Sequence, residues 1–330
     1  MLQQRREMAL ERHTVVPPNA TPLILDLSVI IVSWNVRELL ARCLEALYAT
    51  VRTLSFEVII VDNASVDGSA AMVGERFPEV ILIANADNLG FGRANNQGAA
   101  IARGRHLLLL NPDAFVHQGT VERLVAFLDT NPDAGAAGPK LLNEDGTLQR
   151  SVTSFPTVLT ELWTTLGLDR AFPRHPVFGH YKLTHWAMDD LRPVDALMGA
   201  CLLVRREVVE HTGLFDEQFF MYSEEVDLCY RIQGAGWRNY FLPDVQATHI
   251  WGGSSRRVPT ATFLRLFRSR VQFFRKHYGP RATACYKAVL ALAAVMRVVG
   301  GPAIFTLRRD PALIRLSLNY LALLRQVTRF

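Results

Sequence analysis

Gly104-Arg105-His106-Leu107-Leu108-Leu109-Leu110-Asn111-Pro112-Asp113 is the stretch whose reading decides the fold. Four consecutive leucines between a glycine and an Asn-Pro read as a short strand buried on both faces. The run is too short for a helix, and Pro112 drives the residue before it away from helical angles. The strand therefore ends on Asn111 and Asp113, at the carboxyl edge of a parallel sheet, where open α/β sheets bind their ligands. A carboxylate there could hold a divalent cation on a phosphate, because hard cations take oxygen ligands. By composition alone Asn-Pro-Asp is an ordinary turn, so the rest of the chain has to decide.

Upstream the pattern alternates between apolar runs and amphipathic segments. Strands are expected over 28–33, 56–61 and 80–83, with helices over 37–49 and 70–76 and a third starting within 85–98. In the first helix Leu39, Leu40, Cys43, Leu44 and Leu47 share one face. Such alternation implies a parallel sheet with right-handed crossovers. Three strands end in polar clusters, Ser33-Trp34-Asn35, Asp62-Asn63 and Asn111-Pro112-Asp113. Each cluster is weak evidence, but together on one sheet edge they outline a nucleotide pocket. No GxGxxG follows the first strand and no GxxxxGK[ST] occurs; Gly90-Phe91-Gly92 is followed by Asn95 where a third glycine would stand. Dinucleotide and P-loop readings lose their main support.

Downstream, 140–192 is less regular and is expected to shape a specificity site. Regular structure resumes over 194–205. The densest polar cluster follows, Tyr222-Ser223-Glu224-Glu225-Val226-Asp227-Leu228. Ser223 reads as an N-cap, and acids in the first turn suit the helix dipole. Glu224 and Asp227 share a face while Glu225 points elsewhere. One carboxylate can thus face a cleft while another pairs with Arg231. A further strand is expected over 237–242. His249 stands shortly before Gly252-Gly253-Ser254-Ser255; taken by itself, a lone histidine there is more often structural than a ligand.

From 27 to 255 these residues resemble the family-2 glycosyltransferases of the GT-A fold, especially the bacterial rhamnosyltransferase-like branch. The likeness rests on an ordered set: Ser28 to Asn35, Val61-Asp62-Asn63-Ala64-Ser65, Asn88-Leu89-Gly90-Phe91, Leu110-Asn111-Pro112-Asp113, Glu224 to Leu228, and His249. It implies an α/β, Rossmann-like, mostly parallel sheet with flanking helices. It also implies a donor site that includes Ser33, Asn35, Asp62, Asn88 and Asp113, with Asp62 on the nucleotide base. Asp113 would occupy the final position of the DxD metal motif, and His249 a position that completes the site for Mg²⁺ or Mn²⁺. The general base would be Glu225. Two positions depart from the family pattern: Asn111 stands for the first DxD aspartate, and Glu225 for the usual aspartate. One base and one metal, with no second nucleophile, suit a single displacement with inversion at the sugar carbon. The expected donor is a dTDP- or UDP-sugar, a deoxyhexose such as rhamnose, and the acceptor a cell-envelope or lipid-linked glycan. A second reading is a catalytically weak nucleotide-sugar-binding scaffold at the membrane surface.

Composition bounds the setting. Of the 330 residues 49% are hydrophobic, ample for a core. Cys43, Cys201, Cys229 and Cys285 form no CxxC pair, which fits reduced thiols in a cytosolic setting. Residues 1–26 form a polar, then proline-rich lead-in without the apolar segment of a signal peptide. From Arg256 to the end, 15 Lys and Arg meet one acid, Asp310; before it, 21 face 30 acids. This 256–330 region interleaves aliphatic runs with arginines. It reads either as amphipathic helices on an anionic membrane or as a helical pair packed on the body. A clean membrane span is not expected, since Arg297 and Gly300-Gly301-Pro302 interrupt the apolar run. Aliphatic runs suit lipid or protein better than nucleic acid, and the expected location is cytoplasmic, peripheral at the inner face of the plasma membrane.

Overall fold

The computed structural model describes residues 25–250, 259–308 and 311–330, and for 259, 301–308 and 311–313 the backbone alone. Most of the lead-in and the segment Gly252-Gly253-Ser254-Ser255 lie outside the described residues. The first half alternates as expected: β1 (Leu25–Ser33), α1 (Arg37–Thr50), β2 (Phe56–Asp62), α2 (Ser69–Arg76), β3 (Ile81–Ala84), α3 (Phe91–Ile101) and β4 (Gly104–Leu110). β3, β2, β1 and β4 lie side by side and parallel. The chain moves outward from β1 to β3 and then crosses back to set β4 on the other flank of β1. That reversal creates a switch point at the carboxyl ends of β1 and β4, where such sheets open a crevice.

The leucine strand is buried on both faces, each of its four leucines being 2% exposed or less. Leu108 and Leu110 pack into one core with Leu40, Leu44 and Leu124, and Leu107 and Leu109 into the opposite one with Val208 and Leu228. Each contributes roughly 1.5–3 kcal/mol by leaving water. Gly104 opens the strand because nothing larger fits: a Cβ there would lie 2.3 Å from the Leu27 carbonyl carbon and the Ser28 nitrogen.

The second half continues with β5 (Ala114–Val116), α4 (Thr120–Thr130), β6 (Ala134–Leu142), β7 (Leu148–Gln149), β8 (Val152–Thr153), α5 (Val158–Thr165), α6 (Leu168–Ala171), β9 (Arg192–Val194), β10 (Ala196–Leu197), β11 (Cys201–Arg205), α7 (Arg206–Thr212), α8 (Glu224–Gly234) and β12 (Arg238–His249). Beyond β4 the sheet runs β11, β6, β12, β5. β11 is antiparallel to β4 and β6, whereas β6 and β12 are parallel. The sheet is therefore parallel from β3 through β4 and mixed beyond. The four cysteines are unpaired, three of them buried and Cys285 exposed.

The basic region forms α9 (Pro259–Arg308) and α10 (Pro311–Gln326). Gly279 breaks α9 with φ 79°, and Pro280 restarts it in the position proline favours. Phe274 and Tyr286 stack at 4.3 Å across the break; a straight helix would hold residues twelve apart about 18 Å from one another. The chain thus bends sharply at Gly279. Val271, Phe273, Phe274, Tyr286 and Leu290 join the core that also holds Leu107 and Leu109. These helices rest on the body. On the other side of α9, Leu292, Val295, Met296 and Val299 form an exposed stripe. By length and composition α9 is apolar enough to cross a membrane, with an 18-residue window of mean hydropathy 1.6, a third of it buried.

Candidate active site

One cleft opens at the switch point, at the carboxyl edge of the sheet. Asn88, Asp113, Glu225 and His249 line it together, with Trp34, Asn63, Gly90, Phe91, Asn111, Tyr222 and Glu224. Residues distant in sequence converge there, and the strand pairing says how.

Asp113 and His249 meet because β5 pairs with the end of β12. In that antiparallel register His249 lies opposite Ala114, and the Ile250 N–H donates to the Asp113 carbonyl at 2.9 Å. The turn at Asn111-Pro112-Asp113 is closed by the Ala114 N–H on the Asn111 carbonyl, at 3.0 Å. Asn111 itself is tied to β11 through its N–H to the Ala200 carbonyl, at 2.9 Å. The turn reading and the site reading therefore both hold: a fixed turn presents the carboxylate. Asp113 Oδ1 lies 3.4 Å from His249 Nε2, and both residues are buried. His249 Nδ1 is 2.7 Å from Gln149 Oε1.

A carboxylate oxygen and an imidazole nitrogen converging at this distance could hold one divalent cation: the oxygen suits Mg²⁺ or Mn²⁺, and the imidazole suits a transition-metal ion better than Mg²⁺. The described residues hold no cluster of three or more His, Cys, Asp or Glu that could bind a metal by themselves. Two protein ligands would leave most of a cation's coordination sphere open to other oxygen ligands.

The opposite wall is α8. Its first residues are reached through Tyr222 and Ser223, both left-handed at φ 71° and 64°. The expected N-cap does not form: Ser223 makes no side-chain cap bond, and its Oγ is buried without a partner. A capping side chain needs extended backbone at that position, and the left-handed turn aims it elsewhere. Two consecutive left-handed non-glycine residues cost about 1–3 kcal/mol each. They set both Glu224 and Glu225 on the cleft. Burial raises the Glu224 carboxyl well above its usual range, and the adjacent charge of Glu225 raises it further. Burial also raises Glu225, but the N–H groups of Glu225 and Val226 and the Arg270 guanidinium oppose the shift. Of the two, Glu224 is pushed the more strongly toward its neutral form. Asp227, fully buried on the far side, accepts from Arg231 Nε at 2.8 Å, from His277 Nε2 at 2.7 Å, and pairs with Lys276 Nζ at 2.7 Å. Burial favours its neutral form, yet these three partners hold it down at about 2.

The third wall is the Asn88-Leu89-Gly90-Phe91 segment. Asn88 Oδ1 accepts from the Gly90 N–H at 3.0 Å, and Asn63 Nδ2 donates to the Gly90 carbonyl at 3.1 Å. Gly90 has φ 86°, and a Cβ there would lie 2.4 Å from the Phe220 carbonyl oxygen. That oxygen accepts from the Phe91 N–H at 2.9 Å. The segment thus joins the parallel half of the sheet to the loop before Glu224.

Ser33, Asn35 and Asp62 lie beside the cleft rather than on its lining. Ser33 and Asp62 face each other in register at the ends of β1 and β2. Asp62 Oδ2 accepts from the Ser65 N–H at 2.9 Å, while its Oδ1 and Ser33 Oγ are buried and unbonded. Asn35, left-handed at φ 55°, accepts from the Val66 N–H at 2.8 Å and ties the loops after β1 and β2. Ser33 Oγ, Asp62 Oδ1, Ser223 Oγ and Glu224 Oε2 are all buried and unbonded around this one cleft, and buried polar atoms ordinarily find partners. Trp34, Tyr222 and Gln149 were not singled out by sequence. The pairing of Leu141 with Gln149 in the β6–β7 hairpin does not by itself reveal that Gln149 faces a histidine on another strand.

The sequence profile of Glycosyl transferase family 2 matches residues 28–212. Over 248 residues the chain is 32% identical to N-acetylglucosaminyl-diphospho-decaprenol L-rhamnosyltransferase of Mycobacterium tuberculosis, which spans 71% of this chain and 79% of that one. It is 28% identical over 210 residues to the low-salt glycan biosynthesis hexosyltransferase Agl10 of Haloferax volcanii, covering 62% of this chain and 61% of the relative. Among solved structures, the mannosyltransferase PcManGT from Pyrobaculum calidifontis superposes with a TM-score of 0.53 at 18% identity, over 99% of this chain and 92% of that one. At that identity the likeness speaks for the fold, which is GT-A.

Proposed function

The chain belongs to glycosyl transferase family 2, in its rhamnosyltransferase-like branch, and from that premise we propose that it moves a deoxyhexose such as rhamnose from a dTDP- or UDP-sugar to a lipid-linked glycan, with inversion. The observation that carries this reading is the juxtaposition, in one cleft, of the Asp113–His249 pair with Glu225 on the facing wall. The Mycobacterium relative's name gives a rhamnosyl transfer to a lipid-linked diphosphate, and the Pyrobaculum structure holds GDP-Man and Mn²⁺. Both support the reading without fixing the sugar.

In this mechanism Asp113 and His249 would hold Mg²⁺ or Mn²⁺, which when bound would offset charge on the departing diphosphate. Ser33, Asn35 and Asp62 form the nucleotide end beside the cleft, and Asn88 orients the donor through the Gly90 wall. Glu225 accepts the proton of the acceptor hydroxyl as its oxygen bonds the anomeric carbon and the bond to the diphosphate breaks on the opposite face. Val36, Met198 and Met221 give the cleft an apolar flank, suited to a sugar that carries a methyl in place of a hydroxymethyl group. The protein is proposed to work in the cytoplasm, at the inner face of the plasma membrane, with the exposed stripe of α9 on anionic lipid.

The test is calorimetric binding of dTDP, UDP and GDP with and without Mn²⁺, paired with turnover of Glu225→Gln. One nucleotide should bind in a Mn²⁺-dependent way, and the variant should keep that affinity while turnover falls ~10²-fold or more. Unchanged turnover would remove Glu225 as the base. Binding with no turnover in the unaltered protein would favour the scaffold reading.

A further inference from the structure

We propose that Gln149 is a positioning residue for the metal side of the cleft: it locks His249 in the tautomer protonated on Nδ1 and so presents the Nε2 lone pair toward Asp113. The inference rests on the reading above, in which Asp113 and His249 hold a divalent cation.

The polarity of the hydrogen bonds settles which end of the Gln149 amide faces His249. Gln149 is buried on β7, at 7% exposure. One end of its amide lies 3.1 Å from the His249 backbone carbonyl, which can only accept, so that end is the NH₂ group. The same Nε2 donates to Asn143 Oδ1 at 2.9 Å. Asn143 is itself oriented: its Nδ2 donates to Thr147 Oγ1 at 2.9 Å, and the Thr147 hydroxyl donates onward to Asp145 Oδ1 at 2.6 Å. A carboxylate at that end fixes the direction of the chain. Gln149 Oε1 is therefore the end that faces His249 Nδ1 at 2.7 Å, and an oxygen there requires Nδ1 to be the N–H donor. With its proton on Nδ1, a neutral imidazole has its lone pair on Nε2, the nitrogen 3.4 Å from Asp113 Oδ1.

The local sequence builds this orienting device. Asn143 to Thr147 closes the hairpin between β6 and β7, with Gly146 at φ 80° and the Asn143 N–H on the Thr147 carbonyl at 2.8 Å. β6 pairs on one side with β7 and on the other with β12, which brings Gln149 and His249 together. Partners that orient a ligating histidine through its second nitrogen typically change metal affinity 10–100-fold when removed.

The first readout needs no metal. Two-bond ¹H–¹⁵N correlation spectra of ¹⁵N-histidine-labelled protein, with the His249 signals assigned by their loss in His249→Gln, should show Nδ1 protonated and Nε2 bare. Gln149→Met should mix the tautomers and weaken Mn²⁺-dependent nucleoside diphosphate binding ~10–100-fold, while metal-free nucleotide binding and the thermal midpoint stay close to those of the unaltered protein. Gln149→Glu keeps an acceptor for Nδ1–H but loses both donated bonds; it should keep the tautomer and Mn²⁺ affinity within a few-fold. If the two variants lose Mn²⁺ affinity alike, Gln149 is a structural residue only and the proposal fails. A protonated Nε2 in the unaltered protein, with Mn²⁺ dependence intact, overturns the role of Gln149 alone. Nucleotide binding indifferent to Mn²⁺ in the unaltered protein overturns the cation reading and this proposal with it.

Discussion

At the scale of single residues, the division of labour between Glu224 and Glu225 follows from their surroundings. The two adjacent carboxyls cannot both ionise cheaply in a buried site. Glu225 has the first-turn N–H groups and Arg270 in its favour, whereas Glu224 has an unbonded oxygen and a like charge beside it. A base must be ionised to act, and burial sets Glu225 above the ordinary value of 4.5. Activity is then whole at high pH and falls as the pH drops through that raised value. A profile of kcat/KM against pH should show an acid limb of unit slope centred above 4.5; a limb at or below it would sink the assignment. Asp113 was legible in sequence because a leucine strand stopped by Asn-Pro-Asp can end only at a sheet edge. His249 was legible through family likeness, since no spacing rule links it to Asp113; their meeting depends on β5 pairing with β12. Gln149 was illegible for the same reason, its partner lying on a different strand.

At the scale of elements, the start of α8 is held by two quite different means. Its start carries the left-handed pair Tyr222-Ser223, which lifts the two glutamates to the cleft. The end of its first turn is pinned by Asp227, whose partners Lys276 and His277 belong to α9. Lys276 also reaches Asp216, at 2.7 Å, in the loop leading to α8, and Ser269 Oγ donates to the Met221 carbonyl at 2.8 Å. Removing one member of such a buried ionic group leaves the others uncompensated and costs about 3–5 kcal/mol. Asp227→Asn should show that loss in urea unfolding at pH 7. Because Asp227 is held at about 2, its contribution is complete above its ordinary value of 3.8 and fades as the pH falls through about 2. The gap between the two proteins should thus be constant from neutral pH to about 4 and narrow below it. An unchanging gap down to pH 2 would mean that the carboxylate charge is not what holds the helices together. The alternating strands and helices of the first half were readable from periodicity. The antiparallel β11 was not, since a run apolar on both faces carries no mark of direction. Ser223 was misread as a cap because residue type predicts capping only when the backbone is extended there.

At the scale of the whole molecule, the acidic body and basic C-terminal region fit one another in part. Arg270 pairs with Glu161 and Lys276 with Asp216 and Asp227, so two of the bases in the first part of α9 are taken up by acids of the body. Farther along, Arg297 follows Met296 directly in the exposed stripe of Leu292, Val295, Met296 and Val299, with its guanidinium over the Tyr320 ring at 4.9 Å. Basic side chains flanking an apolar face favour anionic lipid by ~1 kcal/mol each near the surface. Sedimentation with phosphatidylglycerol vesicles should exceed that with phosphatidylcholine by ~10-fold or more, and fall as salt rises. Leu292→Glu with Val299→Glu should abolish the excess. Equal sedimentation with both lipids would leave the stripe without a lipid role.

The same stripe has a kinetic consequence. One face of α9 is spent on the body through Tyr286 and Leu290 and the opposite face is open, so a helix resting on a bilayer by that open face would hold the cleft at a fixed attitude to the lipid plane. A lipid-tethered acceptor would then be found by lateral diffusion in two dimensions, and turnover would track the number of acceptors per unit of membrane area rather than per volume of solution.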